Sequence, residues 1–278
     1  MPNNLIKRIG AGSKYLVIVA ALLVFIGWFI NTPPGLLGKA DAIAYAVCHR
    51  IGERSFHIGS IQLPLCARCT GMYLGAVTGL FFQSIIGWKR LKIPHWSIIA
   101  LLVVFVGAFG IDGSNSYLYL LKQVSPGMLP NVPNLYVPNN TLRLLTGSGM
   151  GLVIALMLFP AFNQTVWSDG DDKPAISGWK WFGLLLGIQV VFDLLVLTES
   201  PLVLYPVAVI STLGVWLLLS MVYSMVWVMI MGEDSKFIKL RQLWLPLLAG
   251  LTIAMIQTAG IDALRFWLTG TWGAFPLG

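Results

Sequence analysis

Seven long apolar runs constrain this chain more than any motif does. Residues 15–31, 70–87, 96–112, 141–160, 179–198, 204–231 and 244–268 carry at most two charged side chains each. All reach the roughly 17 residues that a helix needs to cross a hydrocarbon core. Inside lipid a segment must satisfy its own backbone hydrogen bonds, so runs of this kind are helices. Their apolar residues do not alternate with polar ones, which argues against a membrane β-barrel. The expected fold is all-α: a polytopic membrane helix bundle with seven spans.

Charge explains itself within that frame. Only 10 % of the 278 residues are charged, with a net charge of +7. In a soluble domain such an excess would point to nucleic acid. Here the basic residues sit at the ends of apolar runs, where they set topology, and no nucleic-acid partner is expected. If the spans alternate, Lys7, Arg8, Lys14, Lys89, Arg90, Lys92, Lys173, Lys180, Lys236, Lys239 and Arg241 share one side. Lys39, Arg50, Arg54, Arg68, Lys122, Arg143 and Arg265 share the other. The positive-inside rule then puts the N-terminus in the cytoplasm and residues 32–69 and 113–140 outside. The first run is long for a signal-peptide core, and Ile30-Asn31-Thr32-Pro33 is not a small-x-small cleavage site. An uncleaved anchor is expected.

The two outer segments should form a cap. Residues 113–140 are rich in Pro and Asn (Pro126, Pro130, Pro133, Pro138; Asn131, Asn134, Asn139, Asn140) and read as irregular surface structure. In the other segment Leu36, Leu37, Ala40, Ile43, Ala44, Val47 and Ile51 recur at helical spacing. That predicts an amphipathic helix over 38–51, stopped by Gly52, lying on the outer interface or against the bundle.

The same segment gathers the chemistry. Cys48-His49-Arg50, Arg54-Ser55-Phe56-His57 and Cys66-Ala67-Arg68-Cys69-Thr70-Gly71 hold all three cysteines of the chain. The Cys66–Cys69 pair falls at the start of the second span, where a helix N-terminus favours thiolate. Three readings follow. Cys48, Cys66 and Cys69 are candidate zinc ligands, with His57 the preferred fourth over His49 and Asp112. Alternatively the pair exchanges thiol and disulfide, with Cys48 as resolving thiol. The plainest reading is a structural disulfide or simply small buried residues. A c-type haem is disfavoured, because Thr70 rather than His follows Cys69.

A second pattern lies in the spans. Asp112, Arg143, Asp193, Asp262 and Arg265 all map to the outer half. Embedded charges face the protein interior or a water-filled cavity. Asp262–Arg265 and Asp112–Arg143 are candidate structural pairs. Otherwise they line a polar cavity in which Arg50, Arg54, Arg68 and Arg143 hold an anion, a lipid phosphate or a carboxylate. In an enzyme acting on lipid, Asp112 would be the acid–base residue, with Arg68 and Arg143 on the reacting group. Gly71, Gly75 and Gly79, and Gly147 and Gly151, form small-xxx-small faces for close helix packing, within the chain or with a partner or second copy. No row of polar residues crosses the membrane, which disfavours a channel or pump.

The order Cys48-His49-Arg50, Arg54-Ser55-Phe56, Cys66-Ala67-Arg68-Cys69-Thr70-Gly71 with Tyr73 and Gly75, Asp112-Gly113, Leu142-Arg143 and Thr146-Gly147 resembles a family of prokaryotic membrane proteins, domain of unknown function 2085. The resemblance spans about residues 45–151, with Asn115 where a Gln is expected. It implies that these polar positions form a signature, and it implies no activity. It divides the chain into an N-terminal membrane module, 1–151, and a transmembrane extension, 152–278. Three functions remain open: a zinc and anion site, a membrane thiol oxidoreductase, and a non-catalytic subunit of a membrane complex.

Overall fold

The computed structural model describes residues 2–125, 127 and 131–273, with side chains from Lys14 onward. The side chains of Lys7 and Arg8, read above as topology signals, and Pro126 and Pro130 of the expected cap lie outside the described residues.

The chain forms helices α1 (Pro2–Asn31), α2 (Leu36–Tyr45), α3 (Ala67–Ile86), α4 (Trp96–Val124), α5 (Asn140–Val166), α6 (Trp179–Leu197), α7 (Pro201–Ile230) and α8 (Trp244–Thr269). All but α2 are long and apolar enough to cross a membrane, so the seven expected spans are present. Local chemistry sets several ends. Asn139 accepts from the Leu142 N–H at 2.9 Å and caps α5. Pro201 occupies the first turn of α7, where a missing N–H is harmless. Gly270, with φ +67°, closes α8 in the left-handed conformation that glycine tolerates.

Two short ribbons mark opposite ends of the bundle. An antiparallel hairpin, β1 (His57–Ile58) with β2 (Ile61–Gln62), lies at the end where α3 begins. Strands β3 (Arg90–Lys92) and β4 (Asp171–Pro174) pair in parallel where α3 and α5 finish. There Lys89 and Lys92 form ion pairs with Asp169 and Asp172, each at 2.7 Å.

The tightest seam runs between α3 and α5. A Cβ placed on Gly147 would collide with the Arg68 carbonyl oxygen, and one on Gly151 with that of Met72. Only hydrogen at these positions lets the backbones meet. The glycine faces of α3 and α5 are thus occupied by each other. Leu80, Leu152, Leu156 and Phe182 fill the core beside this seam, and Phe56, Leu63, Leu74 and Leu144 fill it nearer the β1–β2 end.

Two expectations are corrected. Helix α4 does not stop at Asp112 but continues to Val124, so residues 113–124 of the expected irregular cap are helical. They hold a returning strap: Asn115 donates to the Tyr136 carbonyl at 2.9 Å and accepts from the Leu135 N–H at 2.9 Å. Helix α2 ends at Tyr45, six residues short of Ile51, and Gly52 begins a 3₁₀ turn instead. The cause is a partner that the local sequence does not contain. Arg265 of α8 donates to the Tyr45 and Cys48 carbonyls at 2.6 Å each, satisfying acceptors that a longer helix would have used. The buried residues Ala40, Ala42, Ile43, Ala44 and Tyr45 show that α2 packs on the bundle.

Candidate metal centre and anion pocket

Cys48 follows the turn after α2, Cys66 is the N-cap residue of α3, and Cys69 lies in its first turn. The three sulfur atoms lie within 4.8 Å of one another, and none is in a disulfide. A tetrahedral zinc site with Zn–S near 2.3 Å places its sulfurs about 3.8 Å apart. The thiols are therefore within about an ångström of such a set. The Cys66 N–H donates to Cys48 Sγ at 3.2 Å. Hydrogen bonds from the Cys66 and Cys69 thiols push Cys48 well below the usual thiol range. The same bond to Cys48 pushes Cys66 up to about 12. The three thiols thus form one hydrogen-bonded group in which Cys48 is the favoured acceptor.

His57, the expected fourth ligand, is exposed on β1 and does not belong to the sulfur group. His49 is half-buried beside it; its Nδ1 accepts from the Ile51 N–H at 3.0 Å. Burial lowers its basicity, and the charges of Arg54, Arg68 and Arg143 lower it further against the pull of Cys48. All three arginines are thus close enough to His49 for their charges to reach it.

Arg68 is held by Asp112. Its Nε donates to Asp112 Oδ2 at 3.1 Å, and its Nη2 reaches the same oxygen, the Asp112 carbonyl and Ser116 Oγ. Asp112 is 1 % exposed and also accepts from Tyr136 Oη at 2.8 Å and Thr146 Oγ1 at 3.4 Å. Arg54 donates to the Ser116 carbonyl at 3.2 Å. Burial, then repulsion from Arg68, weakens its hold on a proton. Arg143 is 6 % exposed and donates to Asn140 Oδ1 at 2.9 Å, but its buried Nε has no hydrogen-bond partner among the described residues. The charges of Arg54 and Arg68 reach Arg143, so the three guanidinium groups share one polar region, with one buried donor lacking a partner among the described residues.

Arg50 stands apart. It forms an ion pair with Asp41 at 2.7 Å and donates to the Trp272 carbonyl, locking the α2 end to the segment after α8. The expected Asp112–Arg143 pair is replaced by Asp112–Arg68, and Arg265 turns to α2 rather than bonding Asp262. Asp193 bonds Ser148 Oγ at 2.6 Å and Gln189 Nε2 at 3.0 Å inside the bundle. Sequence reasoning missed Ser116 and Tyr136, which complete the Asp112 and arginine network with Thr146, a position it had named only within the family signature, and it saw Arg265 only as an embedded charge. Ser116 and Tyr136 carry no local signal, because each meets its partner only through tertiary packing.

Residues 48–157, from Cys48 into α5, match the model of the family described as Predicted membrane protein (DUF2085). An uncharacterised protein of Methanocaldococcus jannaschii is 25 % identical over 169 residues, which cover 55 % of this chain and 95 % of that protein. An uncharacterised protein of Methanothermobacter thermautotrophicus is 29 % identical over 111 residues, 40 % of this chain and 83 % of that protein. No solved structure matches the chain significantly. The matched region holds the three cysteines, Arg54, Arg68, Asp112 and Arg143, whereas Asp193, Asp262 and Arg265 lie beyond it. Over residues 48–157 this multi-pass membrane protein is similar to the DUF2085 family of predicted membrane proteins.

Proposed function

We propose that Cys48, Cys66 and Cys69 hold a zinc ion, and that Arg54, Arg68 and Arg143 bind an anionic group beside it. The observation that carries this reading is the convergence of three free sulfurs within 4.8 Å at a helix N-terminus. Three protein ligands leave a fourth position open, the pattern of zinc sites that take a substrate or water. Zinc in such a site polarises a bound oxygen or activates a water. The adjoining arginines suit a phosphate or carboxylate group, of a membrane lipid head group or a small anion. Asp112, fully engaged, holds Arg68 in place rather than moving a proton. The positive-inside reading puts this site on the extracytoplasmic face.

Metal analysis of detergent-purified protein tests the reading. About one zinc per chain is expected, lost in Cys66→Ser and Cys69→Ser and kept in His57→Ala. Protein without metal, holding a Cys66–Cys69 disulfide that cycles with the redox buffer, would replace this reading with thiol–disulfide exchange.

A further inference from the structure

At the other end of the bundle from the cysteines, a groove of about 330 Å³ lies between α3, α5, α7 and the 3₁₀ turn Leu240–Leu243 that leads into α8. The positive-inside reading makes this the cytoplasmic end. The groove is open on its lipid side, where Phe81 is 67 % and Leu217 42 % exposed. From Val77 on α3 to Trp88 just beyond that helix it runs about 16 Å at the helical rise. That is about half of a 30 Å hydrocarbon core, the depth of one leaflet. Trp88 stands exposed at the mouth with its ring centroid 5.9 Å from that of Trp167. Tryptophan of this kind favours the level of the lipid head groups.

The lining suits hydrocarbon. Ser84 and Asn163 bring polar atoms to it, and both are already bonded. Ser84 Oγ donates to the Phe81 carbonyl at 2.7 Å. Asn163 Nδ2 donates to the Arg90 carbonyl at 2.9 Å, and its Oδ1 accepts from Trp167 Nε1 at 3.0 Å. Inside the mouth an occupant therefore meets apolar and aromatic surface.

The mouth itself carries charge. Residues three apart in a 3₁₀ turn are eclipsed, and Leu240 and Leu243 both line the groove. Lys239 and Arg241 flank Leu240 and are exposed. Neither forms an ion pair among the described residues. Lys89, at the same end, is met by Asp169 at 2.7 Å and also donates to the Ile238 carbonyl. The exposed acids Glu233 and Asp234 belong to the turn after α7, and no residue of 231–239 lines the groove.

We propose that this groove binds an anionic phospholipid of the cytoplasmic leaflet. One acyl chain lies along α3, and Lys239 and Arg241 meet the negative charge of the head group. Basic residues beside a membrane span attract anionic lipid, and the arginine fork suits its phosphate. This site is independent of the cysteine centre.

Native mass spectrometry of the full chain, released from micelles after incubation with phosphatidylglycerol or with phosphatidylcholine of the same acyl length, tests the proposal. Phosphatidylglycerol should be retained about tenfold more strongly. The double variant Lys239→Gln, Arg241→Gln should lose that preference. Lys180→Gln, which removes an exposed cation of α6 at the same end but outside the groove, should keep it. Leu217→Trp fills the groove and should lower retention of both lipids. Equal retention of the two lipids by the unaltered chain, a preference that survives the double variant, an equal loss in Lys180→Gln, or unchanged retention in Leu217→Trp would overturn the proposal.

Discussion

Arg68 and Asp112 form the joint on which the proposed anion pocket rests, and their coupling can be worked from the contacts. Asp112 Oδ2 accepts twice from Arg68, while Oδ1 accepts from Tyr136 and Oδ2 weakly from Thr146. Arg68→Met removes the only opposite charge bonded, among the described residues, to a carboxylate that is 1 % exposed. Breaking a buried pair from one side destabilises by about 3–5 kcal/mol. Asp112→Asn leaves Arg68 with Ser116 and with 18 % of its side chain exposed, so its effect is smaller, about 1.5–3 kcal/mol. The double variant removes both charges and leaves neither ion stranded. Its cost should fall short of the summed single costs by about 2 kcal/mol or more. Reversible denaturant unfolding in micelles, run as a double-mutant cycle, reads this directly. Additivity within about 0.5 kcal/mol would refute the buried joint.

Three further outcomes follow from particular contacts. Arg265→Ala frees the carbonyls of Tyr45 and Cys48; zinc affinity should fall about tenfold or more with all three cysteines intact, measured by competition with a chelator. Arg50 and Arg54 should separate: Arg50→Ala breaks the Asp41 pair and lowers thermal stability without changing phosphate binding, whereas Arg54→Ala weakens phosphate binding, both read by calorimetry. Gly151→Ala drives a methyl group into the Met72 carbonyl and should destabilise the α3–α5 seam by about 1–3 kcal/mol in the same unfolding assay.

The spans were legible because length and apolarity suffice for a membrane helix, and lipid leaves the backbone no alternative. The convergence of Cys48 with Cys66 and Cys69 was legible as a possibility, since a loop joins them. What places Cys48 was not, because its carbonyl is held by Arg265, 217 residues away. The early end of α2 was hidden for the same reason. Asp112 looked like a span terminus because it is charged, yet α4 runs on through it, since Arg68 and Tyr136 satisfy the carboxylate within the bundle. His57 was favoured as a ligand on spacing, and the β1–β2 hairpin turns it to the surface.

X-ray absorption at the zinc edge on purified protein tests the central claim most directly. Three sulfur neighbours at about 2.3 Å with one lighter atom are expected, and Cys48→Ser should reduce the sulfur count. A zinc shell of oxygen and nitrogen alone, or protein purified without metal, would contradict it.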